Sequence, residues 1–136
     1  MNTQDRISKY MTPKPHTIGE DIPLATAQTM MTRYGFRHLP VLYSGKLVGV
    51  VSDRDLKLAL SMGDMREVTV DEIMTEEPYA VSSDAEIGEV LRQMADRKVG
   101  CAIVTDLDGR VIGLFTATDA LSLFATHLAS GGRNAA

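Results

Sequence analysis

Apolar positions along the chain change period several times, and they do so twice in the same order. Leu24, Ala27, Met31 and Tyr34 recur at helical spacing and predict a helix over residues 23–34 with those four on one face. Ile87, Val90, Leu91 and Met94 repeat that spacing and predict a partner helix over residues 85–97. Each helix is followed by two apolar runs split by turn residues. Runs 39–43 and 46–51 flank Ser44-Gly45, and runs 102–105 and 110–115 flank Asp106-Leu107-Asp108-Gly109, which predicts two hairpins. A closing helix is predicted over residues 53–61 in the first copy and 117–129 in the second. Before each long helix stands a short helical lead, 7–11 and 70–74. A proline then opens an extended piece, Pro15 before 16–18 and Pro78 before 79–81.

The chain is therefore an internal repeat. At an offset of 63, Met11-Thr12 falls on Met74-Thr75, Pro15 on Pro78, Asp21 on Asp84, Met31 on Met94 and Val41 on Val104. One residue then enters the second copy near Asp108. At an offset of 64, Gly45 falls on Gly109, Gly49 on Gly113, Ser52 on Thr116 and Asp55 on Asp119. The reading is α+β, with two β-α-β-β-α repeats over 5–61 and 70–129, a linker over 62–69 and a flexible tail over 130–136. A copy of about 60 residues has one sheet face to cover, so the two copies are expected to pack together about a pseudo-twofold axis.

Composition narrows the function. At 136 residues a core forms without a disulfide or metal staple. The one cysteine, Cys101, has no internal partner, which suits a reducing compartment, and no base stands beside it, so it reads as a buried, inert thiol. Fourteen Lys and Arg against eighteen Asp and Glu give a net charge of -4, which argues against a general nucleic-acid binder. No apolar run approaches the roughly 20 residues that span a bilayer, and the N-terminal residues lack the order of a signal peptide. The reading is a cytoplasmic protein. His16, His38 and His127 are scattered and form no metal-ligand pattern. Met30, Met31, Met62, Met65 and Met94 read as fillers of core gaps or of a subunit interface.

One element carries chemistry. Gly49-Val50-Val51-Ser52-Asp53-Arg54-Asp55 and Gly113-Leu114-Phe115-Thr116-Ala117-Thr118-Asp119 share a plan: a strand ends, a hydroxyl follows, and a carboxylate comes three residues later as a helix begins. The structural reading is a capping box. The functional reading uses the same geometry. A helix start with a hydroxyl suits a phosphate, and the carboxylate can accept from both hydroxyls of a ribose. Arg54 adds a charge-assisted contact in the first copy, where the second has Thr118.

These motifs, with Ile7…Met11-Thr12…Pro15, Arg37-His38-Leu39-Pro40-Val41, Val70…Ile73-Met74-Thr75…Pro78 and Cys101-Ala102-Ile103-Val104, make nearly the whole chain resemble a tandem pair of CBS domains. The module is named after cystathionine β-synthase and is often called a Bateman module. The resemblance implies adenosine-containing ligands in two clefts between the repeats. It assigns the ribose to Asp55 and Asp119, the phosphate to Ser52 and Thr116, and main-chain contacts with the base to Thr17, Ile18, Ala80 and Val81. Arg37, His38, Leu39, Pro40 and Arg54 line the first cleft, and Gly100, Cys101, Ala102 and Thr118 the second. The second copy departs from the family pattern, because Gly100-Cys101-Ala102 stands where a basic residue and a proline are usual.

The leading expectation is a stand-alone, non-enzymatic regulatory pair. It binds AMP, ADP, ATP or S-adenosylmethionine, needs no further cofactor and no metal, forms a homodimer through its helices, and signals by a change of shape to an unknown protein partner. Two alternatives stay open. One is a ligand-free dimerising scaffold. The other is a nucleic-acid-binding variant using Arg33, Arg37, Arg54, Lys57 and Arg97.

Overall fold

A computed structural model describes residues 2–64 and 66–134. In chain order it holds a 3-10 turn at Ile7–Lys9, β1 at Thr12–Pro13, β2 at Ile18–Gly19, α1 at Leu24–Tyr34, β3 at His38–Tyr43, β4 at Lys46–Ser52 and α2 at Asp53–Leu60. A second 3-10 turn at Val70–Glu72 follows, then β5 at Thr75–Glu76, β6 at Ala80–Val81, α3 at Ile87–Arg97, β7 at Cys101–Thr105, β8 at Val111–Thr116 and α4 at Ala117–Asn134. The architecture is α+β, and each copy runs β-α-β-β-α after its lead.

Two compact units form, and their boundaries do not follow the sequence copies. The first-copy unit comprises Pro15–Pro78 with the hairpin tip Leu107–Val111. The second-copy unit gathers the stretch ending at Lys14, Tyr79–Asp106 and the stretch from Ile112 onward. Each unit thus takes the lead of the other copy.

In the first-copy unit the sheet order is β2-β3-β4-β5. Strand β2 runs parallel to β3, with Ile18 opposite Val41, because α1 supplies the crossover that a parallel pair requires. Strands β3 and β4 form an antiparallel hairpin whose turn residues, Ser44 at φ 50° and Gly45 at φ 80°, both take the left-handed conformation of a type I′ turn. Strand β5 closes the other edge, with Val50 opposite Thr75. Leu24, Leu39, Val41, Val51 and Val70 are fully buried in this unit's core, so the lead residue Val70 is part of it. Main-chain bonds fix it: the Val70 amide donates to the Ile22 carbonyl at 2.9 Å, and the Leu24 amide to the Val68 carbonyl at 3.0 Å.

The second-copy unit repeats this with the N-terminal lead. Its sheet order is β1-β8-β7-β6. The Ile7 amide donates to the Ala85 carbonyl at 2.8 Å and the Ile87 amide to the Asp5 carbonyl at 2.7 Å. Ile7, Ile87, Val90, Ala102, Val104 and Phe115 are fully buried together. Glycines 49 and 113, alike in the two copies, let the borrowed edge strand approach. A Cβ on Gly49 would stand 2.5 Å from Met74 Sδ and 2.9 Å from the Thr75 carbonyl oxygen, and one on Gly113 would collide with Met11.

Several expectations are corrected. Tyr34 does not join the buried face of α1. It lies in the last turn, 51% exposed, and its ring stacks on His16 at 4.3 Å. Of the methionines read as fillers of core gaps or of a subunit interface, Met31 and Met94 are buried in the cores, while Met62 follows the end of α2 and is 74% exposed, which leaves only the interface reading for it. The closing helix of the second copy runs to Asn134, into the segment read as tail. Propagation from an anchored start adds a bond per residue and outweighs the glycines at 131 and 132. Met65, Ala135 and Ala136 lie outside the described residues.

Candidate functional site

In the first-copy unit β4 hands over to α2 at Ser52, and His38 at the start of β3 pairs with Ser52 across the hairpin. The Asp53 amide donates to the Arg37 carbonyl at 2.9 Å, which pins the start of α2 to the start of β3. The local motif is a full capping box. The Asp55 amide donates to Ser52 Oγ at 3.1 Å, and the Ser52 amide donates to Asp55 Oδ2 at 3.1 Å. These bonds satisfy the amides of Ser52, Asp53 and Asp55. Both cap bonds of Asp55 leave its second carboxylate oxygen outside the cap.

The second-copy unit builds the same device. The Asp119 amide donates to Thr116 Oγ1 at 3.2 Å, the Thr116 amide donates to Asp119 Oδ2 at 2.9 Å, and the Ala117 amide donates to the Gly100 carbonyl at 2.8 Å. The capping reading of both motifs is borne out. A half-buried carboxylate next to a hydroxyl and a helix start is thereby held in one rotamer, which is what a hydroxyl-binding site needs.

The flanking side chains differ. His38 is half-buried, and its Nδ1 is a buried polar atom without a hydrogen-bond partner. Burial lowers the proton affinity of this imidazole, against the opposing pull of the Asp53 and Asp55 carboxylates and with the Arg37 charge adding to the lowering. Arg37 and Arg54 are exposed, and Lys57 holds Asp53 at 3.6 Å. At the position equivalent to His38, Cys101 is buried, and burial pushes its thiol up to about 11, so it stays protonated. That agrees with an inert thiol.

The remaining predicted residues spread along the strands. Leu39 is fully buried in the core and Ile18 nearly so, which leaves their main chains as the polar groups they can offer. Ile18 pairs with Val41, so Thr17 lies level with Pro40, about 7 Å along the strand from His38 at roughly 3.3 Å per residue. Thr17 and Ile18 line a concavity of about 440 Å³ together with Gly19, Glu20, Asp21, Leu42, Tyr43, Ser44 and Gly45. Its lining does not include Ser52, Arg54 or Asp55. In the second-copy unit Ala80 and Val81 pair with Ile103 and Val104 of β7, and Ala102 is fully buried.

The binding motifs in the sequence do not include the residue that follows each opening proline. His16 stacks on Tyr34 at 4.3 Å and on Phe36 at 5.3 Å. Its counterpart Tyr79 lies under the Arg97 guanidinium at 4.6 Å. The offset of 63 pairs His16 with Tyr79 and Tyr34 with Arg97, and that correspondence was the available signal. The five basic residues of the nucleic-acid alternative do not gather in one unit. Arg97 belongs to the second-copy unit and the other four to the first.

The sequence profile of the CBS domain matches residues 7–62 and 70–126, and the chain belongs to this family as a tandem pair. Among curated relatives, arabinose 5-phosphate isomerase KdsD of Pseudomonas aeruginosa is 37% identical over 113 residues, which is 76% of this chain and 35% of the isomerase. The chain thus spans about a third of that relative. Among solved structures, the CBS domain pair of protein MJ0100 in complex with 5′-methylthioadenosine and S-adenosyl-L-methionine superposes with a TM-score of 0.82 at 26% identity, covering 90% of this chain and 98% of that one. CBSX2 in complex with AMP superposes with a TM-score of 0.76 at 25% identity, covering 89% and 96%. Among the described residues no helix is long and apolar enough to cross a membrane.

Proposed function

We propose that this chain is a regulatory CBS pair that binds an adenosine-containing ligand, AMP, ADP, ATP or S-adenosylmethionine, and passes the bound state to a protein partner by a change of conformation. The observation that carries the reading is the doubled strand-to-helix device. Ser52 with Asp55, and Thr116 with Asp119, present a held carboxylate beside a hydroxyl at a helix start, in a family whose solved members include complexes with AMP and with S-adenosylmethionine. Asp55 and Asp119 would accept from the ribose hydroxyls through the oxygen outside the cap. Thr17, Ile18, Ala80 and Val81 would offer main-chain groups to the base. The proposed role is binding rather than catalysis, by a cytoplasmic homodimer. A ligand can shift the conformational equilibrium only by its difference in affinity for the two states.

The test is a thermal-shift titration with AMP, ADP, ATP, S-adenosylmethionine and adenosine. A ligand at about 100 times its Kd adds roughly 2.7 kcal/mol, a rise of several degrees for a chain of this size. Asp55→Ala or Asp119→Ala should abolish the rise at its own site while the chain still folds. That variant also loses half of a capping box, so its ligand-free Tm should drop by the equivalent of about 1 kcal/mol. Unchanged affinity in both variants would overturn the site assignment.

The capping box favours a second reading, because it gives Asp55 and Asp119 a structural duty with no ligand present. In that reading the chain is a dimerising module. A null response to the whole panel, by protein purified free of nucleotide, selects it.

A further inference from the structure

The two devices share their capping geometry and differ in charge. The equivalent positions are Arg37 and Gly100, His38 and Cys101, Arg54 and Thr118, and Lys57 and Leu121. The first-copy set therefore carries three fixed cations and a titratable imidazole where the second has a glycine, a thiol, a hydroxyl and a leucine. The carboxylate that could cancel this, Asp53, is already engaged by Lys57 at 3.6 Å, and its own counterpart is Ala117. Arg37 and Arg54 enter none of the ion pairs seen among the described residues, so their charge is available to a ligand. His38 adds a buried nitrogen with no partner, next in register to Ser52. In the second-copy unit the buried Cys101 thiol offers no charge. In that unit Arg97, at the end of α3, stacks on Tyr79 and donates a hydrogen bond to Gln93 Oε1 at 3.2 Å, and the next residue, Lys98, is the C-cap of α3.

We infer that the two devices divide ligands by charge: the Ser52–Asp55 device takes a 5′-phosphorylated adenine nucleotide, and the Thr116–Asp119 device takes an uncharged adenine nucleoside. This rests on the nucleotide-binding reading above. An anionic phosphate at the first device gains charge-assisted bonds from Arg37 and Arg54, and such bonds are stronger than neutral ones. At the second device the phosphate loses water and meets a hydroxyl and a helix start without either arginine. The nucleoside alone keeps its sugar and base contacts there without that penalty. The arginines are exposed, so the preference is screened by salt.

AMP and adenosine differ only by the phosphate and form the matched probe pair. Each is titrated into the unaltered 15N-labelled chain while the amides of residues 52–55 and 116–119 are followed separately by NMR. At residues 52–55 AMP should bind at least about tenfold tighter than adenosine in low salt, from one charge-assisted bond, and the ratio should shrink at 0.5 M NaCl. At residues 116–119 adenosine should bind at least as tightly as AMP. Arg54→Thr should bring the ratio at 52–55 toward one, and Thr118→Arg should raise it at 116–119. Equal ratios at the two devices, AMP preferred at both, or no response of 116–119 to adenosine while 52–55 answers AMP, would overturn the division and leave nucleotide binding intact. No response of either stretch to either probe, or to S-adenosylmethionine, would overturn the nucleotide-binding reading itself.

Discussion

Ile7 opens the lead of the first copy, yet it is fully buried in the core of the second, beside Ile87, Val90 and Phe115. Truncating it to alanine tests whether the lead truly belongs there. Ile7→Ala removes three apolar carbons, worth about 0.8 kcal/mol each by transfer, or about 2.4 kcal/mol together. The cavity left in a packed core raises the cost to about 3–4 kcal/mol. At about 2.1 cal/mol/K per residue, the 136 residues lose roughly 3.5 °C of Tm per kcal/mol, so Tm should fall by about 10–14 °C. Calorimetry reads the size of the effect, and hydrogen exchange reads its location. Protection should drop in α3, β7 and β8, which share the core with Ile7, before it drops in α1, β3 and β4. A fall under about 3 °C would refute the burial argument. Protection lost first in α1 and β3 would refute the exchange of leads.

Three further outcomes follow from the same structure. Gly49→Ala drives a methyl group into Met74 and the Thr75 carbonyl and should cost about 1–3 kcal/mol, read as a drop in the urea midpoint; a neutral effect would refute the close approach of β5. The folded-state pKa of His38 lies below the ordinary 6.5, so protons favour the unfolded chain. Its contribution is whole above about pH 6.5 and is lost as pH falls below that value, and His38→Gln should flatten this part of the stability profile; identical slopes in the two proteins between pH 7.5 and 5.5 would refute the burial of the imidazole. Cys101, buried and pushed up to about 11, should resist iodoacetamide in the native chain at pH 7.5 and react readily in urea; full native labelling within minutes would refute the inert thiol.

Much of this protein is written locally, and local physics is what a sequence displays. Helical spacing at Ile87, Val90 and Met94 placed α3 within two residues of its observed start, and Ser44-Gly45 placed the first hairpin turn. The hydroxyl and carboxylate three residues apart announced both capping boxes, because a cap is a contact within one turn of chain. The internal repeat alone makes Arg37, His38 and Arg54 comparable with Gly100, Cys101 and Thr118.

What stayed hidden depends on pairs far apart in sequence. Nothing in residues 7–13 says that Ile7 belongs with Ile87, or that Thr12 pairs with Leu114 as an edge strand. A two-residue strand has no period to detect, and its pairing is decided only by whichever sheet edge leaves main-chain groups open. The glycines at 49 and 113 were visible as repeats, but their purpose, admitting Met74 and Met11 over the strand, exists only once the edge strand is in place. Tyr34 fits the helical wheel and still lies outside, because the last turn of α1 projects past the core and its ring finds His16 instead. Sequence by itself determined the elements, their duplication and the capped site residues, since each is a local choice of spacing or hydrogen bond. Tertiary structure alone decided which copy each lead completes, because that choice is made by burial and edge pairing across about 80 residues of chain, as in the bond from the Ile7 amide to the Ala85 carbonyl.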